Sequence, residues 1–202
     1  MTISKISHMT AADHALVTAA VADAEQHTSG EIVTIVNDLS DHYEDVRTAW
    51  ASAVAFIALA TYATFPDFYM SLINGLSGGW SHEYTTGEYA ALLLTAVALK
   101  WFGTWFILKW MPLRLALTPK AIKLARVRSR AISLFKVGTE SKTLGRTGVL
   151  LYLSMKEHRA EIVADEAIAS KVAPEVWGDA MVVLLDHVKA GNPGAGVAAA
   201  VA

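Results

Sequence analysis

Two long apolar stretches dominate the hydrophobic pattern of the chain. The first covers residues 48–65, and the second covers residues 89–108 and contains one charge, Lys100. About 18 or more mostly apolar residues in a helix match the thickness of a bilayer core. Buried helices of soluble proteins usually keep a polar face, and neither stretch has one. The pattern therefore predicts a transmembrane hairpin over residues 48–110, with an outer loop at 66–88 between the spans.

Three shorter segments have the pattern of β-strands. Residues 31–37, 148–154 and 159–165 are rich in β-branched and apolar side chains and are bounded by turn residues. The strand before the hairpin has no partner except the two that follow it. We therefore expect one α/β domain, made of residues 1–47 and 111–202, into which the hairpin is inserted.

Helices are predicted on either side of these strands. Thr10 and Asp13 have the spacing of a capping box, which predicts a helix start. A basic helix is expected from Thr118 to Val137, because threonine followed by proline is a common helix start. Residues 174–190 have apolar side chains at helical spacing, which predicts an amphipathic helix.

Charge is distributed unevenly along the chain. Overall, 53% of residues are hydrophobic and 18% are charged, compared with about 25% charged in typical soluble domains. The outer loop, residues 66–88, has no lysine or arginine, whereas residues 109–136 carry eight basic residues and no acidic one. Because loops rich in lysine and arginine stay in the cytoplasm, we expect both termini and the soluble domain to be cytoplasmic.

Three sequence segments resemble the TPM domain family. They are residues 28–33, residues 146–154 and residues 159–165, which together cover both halves of the soluble domain. The resemblance is strongest to a bacterial subgroup with two spans after the first strand, which implies location in a bacterial inner membrane. It implies an α/β/α sandwich with a small sheet. Plant members are thylakoid-lumen proteins that are linked to photosystem II repair and described as acid phosphatases, and family members often bind calcium through acidic residues near strand ends.

Candidate catalytic chemistry is limited to carboxylates. The chain has no cysteine and no phosphate-binding Gly-Lys-Ser/Thr loop, so a phosphatase here would need metal-assisted hydrolysis. Mapping the resemblance onto this sequence gives Asp165, Asp38 and Asp179 as candidate metal ligands, with calcium as the candidate cofactor. The alternative, that these side chains are helix caps and solvated carboxylates, is the interpretation that the sparse set of oxygens favours. Arg146 is a candidate phosphate contact or an ordinary loop residue.

Residues in and beside the second apolar stretch are candidates for contact with a membrane partner. They are Lys100, Trp101, Trp105 and Trp110. A charge inside a bilayer is costly and often functional, although Lys100 could also extend its side chain toward the cytoplasmic interface. Tryptophan also favours the headgroup region for structural reasons.

The basic segment that follows is a candidate surface for anionic lipid. Its position beside a span favours lipid headgroups over nucleic acid. The residues assigned to headgroup contact are Lys109, Arg114, Lys120, Lys123 and Arg126.

These observations favour a non-enzymatic accessory, assembly or repair factor for a larger membrane complex. The expected partners are the lipid bilayer and another membrane protein complex, and no nucleic acid. The alternatives are a metal-dependent phosphatase of the acid type and a calcium-binding module.

Overall fold

The computed structural model describes residues 9–28, 30–76, 84–140 and 148–202. It divides the chain into two compact units: Met1–His42 with Pro119–Ala202, called the α/β unit here, and Tyr43–Thr118, called the helical unit. In chain order the elements are α1 (Ala11–Gln26), β1 (Glu31–Asn37), α2 (Glu44–Thr64), α3 (Pro66–Leu76), α4 (Thr86–Ile107), α5 (Met111–Leu117), α6 (Lys120–Glu140), β2 (Gly148–Ser154), β3 (Arg159–Ala164), α7 (Glu166–Ala169), α8 (Pro174–Lys189) and α9 (Pro193–Val201). The chain is a mixed α/β protein.

A small mixed sheet is the centre of the α/β unit. Its strand order is β1-β2-β3. β1 runs parallel to β2, with Glu31 opposite Gly148, and β2 runs antiparallel to β3, with Ser154 opposite Arg159. All three strands lie where the sequence predicts them, except that β3 ends at Ala164, one residue early.

Helices cover both faces of this sheet. Because side chains alternate along a strand, successive residues of β2 point to opposite faces. Leu151 and Leu153 pack with Val17 of α1 and Leu184 of α8. On the other face, Leu150 and Tyr152 pack with Val127 and Ala131 of α6. The core is thus two apolar layers separated by one sheet.

The junction between α8 and α9 depends on glycine. Gly191 has φ of 81°, and its N–H donates to Val188 O at 3.1 Å. The N–H of Asn192 donates to His187 O at 2.9 Å, which completes a Schellman motif. Further along, a Cβ added at Gly196 would lie 2.9 Å from Leu184 O, so α9 approaches the backbone of α8 closely.

The helical unit is built around α2 and α4, which pack against each other. They contain 21 and 22 residues and are long and apolar enough, by length and composition, to cross a membrane. The Nε1–H of Trp101 on α4 donates to Ser52 Oγ on α2 at 3.3 Å. Part of the predicted outer loop is helical, because Pro66–Leu76 forms α3.

Candidate functional site

The first candidate site is the set of carboxylates near the strand ends. Asp38 follows β1, and Asp165 follows β3. β1 runs parallel to β2 and β3 runs antiparallel to it. The last residues of β1 and β3 therefore lie at opposite ends of the sheet, measured along the strands. A strand of seven residues spans about 20 Å, so the structure keeps these carboxylates apart. Asp179 lies on α8, and within the described ranges no three histidine, aspartate or glutamate side chains are grouped as a metal ion would require.

Asp165 has a structural contact instead. Its Oδ2 accepts a hydrogen bond from the Gly148 N–H at 2.8 Å, and its own N–H donates to Gly148 O at 3.0 Å. These bonds close the open end of the β2–β3 pair. Asp38 lies at the other end of the sheet, where its Oδ2 is 3.7 Å from Lys156 Nζ. Arg146 lies outside the described residues.

A buried polar cluster follows the carboxyl ends of β1 and β2. Glu157 is 6% exposed and accepts hydrogen bonds from the Ser40 N–H at 2.9 Å and from the Ser154 hydroxyl. The hydroxyls of Ser40 and Tyr152 are 3.0 Å apart. His158, which follows Glu157, has φ of 49°, and this left-handed conformation allows the tight turn into β3. Because buried carboxylates need such donors, these hydrogen bonds hold the loop after β1 in place.

The helical unit contains a second charged cluster, which we call the arginine cluster. The two oxygens of Glu44 each lie 2.7 Å from a guanidinium nitrogen, one of Arg47 and one of Arg114. The Nε–H of Arg47 donates to Trp105 O, and that of Arg114 donates to Leu108 O, both at 2.8 Å. The guanidinium carbon of Arg47 also lies 3.4 Å from the centre of the Trp105 ring. The arginine cluster therefore joins the start of α2 to the end of α4 and to α5.

The assignment of Arg114 to lipid headgroups is corrected by its burial. Arg114 is only 3% exposed and is bound to Glu44. Arg126 is 3.1 Å from Asp41, although its side chain remains 43% exposed. Lys109 and Lys120 are exposed, and Lys123 is half-buried. For these lysines headgroup contact stays a prediction.

The four candidate partner-facing residues divide into two pairs. Trp101 and Trp105 are half-buried and stack on each other with ring centres 6.3 Å apart. Lys100 is exposed, and Trp110 is 66% exposed. Lys100 and Trp110 are therefore the most exposed members of this set.

Two carboxyl groups outside these clusters have shifted pKa values. Hydrogen bonds from the backbone and hydroxyl of Thr10 lower the pKa of Asp13, which confirms the predicted capping box. Burial raises the pKa of Glu161, and Arg128 opposes that shift. Sequence reasoning passed over Glu161 because an acidic residue in an alternating strand has the pattern of a solvent-facing position.

The arginine cluster was also missed from the sequence. The available signal was the spacing of Glu44 and Arg47, three residues apart at the start of an apolar run, where neighbouring side chains on a helix meet. The distant partner, Arg114, could not be identified without the fold.

Comparisons with known proteins show one structural likeness. No protein-family model matches the chain, and no curated protein matches it. The chain is similar to the NMR structure of BA42 protein from the psychrophilic bacterium Bizionia argentinensis. The identity is 16%, the alignment covers 98% of this chain and 81% of that chain, and the TM-score is 0.49. A likeness of this size has no bearing on function.

Proposed function

We propose that this chain is a membrane-anchored, non-enzymatic accessory or assembly factor for a larger membrane complex. In this proposal α2 and α4 cross a bacterial inner membrane as a hairpin. Both termini and the α/β unit are cytoplasmic, since the residues after α4 are basic and residues 66–88 contain no lysine or arginine.

The exposure of the hairpin carries the proposal. Of the 18 most apolar consecutive residues of α4 none is buried, and of those of α2 only 22% are buried. Large side chains such as Phe56, Leu94 and Phe106 are 69–70% exposed. A soluble protein rarely leaves a continuous apolar surface of this kind in water. A bilayer would cover these side chains, whereas the core helix of a soluble protein would already be buried.

We also propose that the α/β unit is a TPM domain. Residues 31–33, 148–154 and 159–164, which lie within the three segments of the resemblance, pair within β1, β2 and β3 of one sheet. Solving the α/β unit experimentally and comparing its full topology with that of a TPM domain would test this assignment.

Membrane insertion is tested by alkaline carbonate extraction of native membranes. We expect the full chain to remain in the pellet, and release into the supernatant would contradict the proposal. Orientation is tested with a reporter fused to Ala202 that is active only outside the cytoplasm. We expect no activity from that fusion.

The accessory role is tested by isolating the tagged full chain in mild detergent and resolving it by native electrophoresis and mass spectrometry. We expect migration with a larger membrane complex. Lys100→Gln should weaken that association, because it removes an exposed charge from α4. Leu94→Ala is the control, since Leu94 is exposed on the same helix, six positions earlier. Recovery of free monomer alone would refute the role.

A further inference from the structure

Strand β3 presents an open edge of the sheet. The Asp165 N–H bonds to Gly148 O, and in an antiparallel pair every second residue faces the same neighbour. Glu161 and Val163 therefore direct their backbone groups toward β2. Ile162 and Ala164 direct theirs away from it. In the parts of the chain that the structure describes, no backbone group outside the β2–β3 ladder bonds to these two residues.

A cleft straddles this edge. It has a volume of about 400 Å³ and is lined by residues from both faces of the sheet. Glu161, Val163 and Arg128 line it on the side of α6, and Ile162 and Trp177 line it on the side of α8. The cleft therefore follows the edge strand and gives access to both of its faces.

A second cavity adjoins the cleft on the α8 side. Its volume is about 450 Å³, and it shares Ile162 and Trp177 with the cleft. The rest of its lining is almost wholly aliphatic, with Asp179 as its one charged side chain. An apolar side chain entering beside β3 would find space and apolar contacts there.

The charges along the cleft favour a basic ligand. Glu161 has only 17% of its side chain exposed, and the Nη1 of Arg128, whose side chain is 68% exposed, lies 3.6 Å from the Oε1 of Glu161. Burial raises the pKa of Glu161, and Arg128 opposes that shift only in part. Asp179 adds a second carboxylate in the adjoining cavity. A lysine or arginine of a ligand would supply the missing positive charge.

We propose that the open edge of β3 binds an extended segment of a partner protein, in which apolar and basic residues alternate, as a fourth strand. Strand addition takes its affinity from main-chain hydrogen bonds and its specificity from pockets for alternate side chains. Here Ile162 and Ala164 supply the main-chain groups. The apolar side chains lie toward Trp177, and the basic ones lie toward Glu161. The proposal goes beyond the accessory role and holds whether or not the hairpin enters a membrane.

The probe is a fluorescein-labelled peptide of seven residues that alternates isoleucine and lysine and is blocked at both ends. Its binding to the purified full chain is followed by fluorescence anisotropy. We expect saturable binding that is roughly tenfold or more weaker for a peptide with glutamate in place of lysine. A peptide methylated on the backbone nitrogens that would face β3 should lose binding to a similar extent. Equal binding of the lysine and glutamate peptides would overturn the proposal.

Two variants test the site itself. Ala164→Pro removes an outward N–H while sparing the ladder to β2, and edge strands tolerate proline in that position. It should weaken binding of the lysine peptide by about tenfold or more, whereas Ala164→Val should not. If Ala164→Pro does not fold, Glu161→Lys should reverse the preference to the glutamate peptide, and an unchanged preference refutes the site. If light scattering shows a dimer that Ala164→Pro abolishes, the edge of β3 binds a second copy of this chain and not a partner protein, which overturns the proposal.

Discussion

The close packing of α9 on α8 gives a prediction with an internal control. A Cβ added at Gly196 would lie 2.9 Å from both Leu184 O and His187 Cβ. A backbone carbonyl cannot move aside as a flexible side chain can, so overpacking of this kind destabilises by about 1–3 kcal/mol. Alanine also favours a helix over glycine by about 1 kcal/mol, which offsets part of that loss. We therefore expect Gly196→Ala to destabilise the fold by roughly 0–2 kcal/mol.

Gly178 in α8 is the matched control. A Cβ added there meets no atom within 4 Å, so Gly178→Ala should stabilise by up to about 1 kcal/mol. The helix-propensity gain cancels between the two variants, and their difference measures the overpacking alone. With a slope of about 2 kcal/mol per molar urea, a difference of 2 kcal/mol separates the unfolding midpoints by about 1 M.

The assay is pulse proteolysis of the full chain in mild detergent over a urea series, which reads the fraction unfolded at each concentration. Helix content in the absence of urea should be the same for both variants. If Gly196→Ala proves as stable as Gly178→Ala, α9 does not pack against α8 at this distance, and the reasoning fails.

Three further predictions concern charged groups, and each is measured by the same urea midpoint. The folded-state pKa of Asp13 is lowered, so the stability it contributes is present above its unfolded pKa and is lost as pH falls through the folded value. The advantage of the wild type over Asp13→Asn should therefore disappear in strong acid, and an advantage that persists there would contradict the cap. The pKa of Glu161 is raised, so its contribution is present below the unfolded pKa and is lost as pH rises through the folded value. Glu161→Gln should therefore be more stable than the wild type at pH 7 but not at pH 4, and a destabilised variant at pH 7 would mean that the Arg128 contact outweighs burial. Glu44→Gln removes the carboxylate that contacts two buried guanidinium groups and should destabilise by roughly 2–3 kcal/mol, below the usual range for a fully buried pair because Glu44 is 57% exposed. Lys109→Gln, at an exposed lysine, should have little effect, and equal effects of these two variants would refute the role of the arginine cluster.

The strands and the long helices were predictable from sequence because each depends on a local pattern. Runs of β-branched and apolar residues predict both ends of β1 and of β2 correctly. The apolar stretches likewise coincide with α2 and α4 to within four residues at each end. The capping box at Thr10 is equally local, because it needs only two side chains three residues apart.

Features that depend on distant partners were not predictable, whereas the direction of β3 was. Only four residues separate the predicted strands 148–154 and 159–165, which allows an antiparallel pair alone, and this direction places Asp165 at the opposite end of the sheet from Asp38. The candidate metal ligands, taken from the resemblance, did not take that direction into account. Arg114 looked like a surface residue because nothing nearby in sequence reveals its bond to Glu44, which is 70 residues away. No helix was predicted over residues 193–201, although Pro193 at the first position and the alanine content both favour one. α9 packs against α1 and α8.

The parallel pairing of β1 with β2 fixes an order of assembly. The two strands are neighbours in the sheet, yet residues 38–147 separate them along the chain. During synthesis at about 5–20 residues per second, β1 therefore waits roughly 5–20 s for its partner. The whole helical unit emerges within that interval and can fold before the sheet exists. An unpaired strand is prone to wrong association, so this interval is the time at which the nascent chain most needs protection.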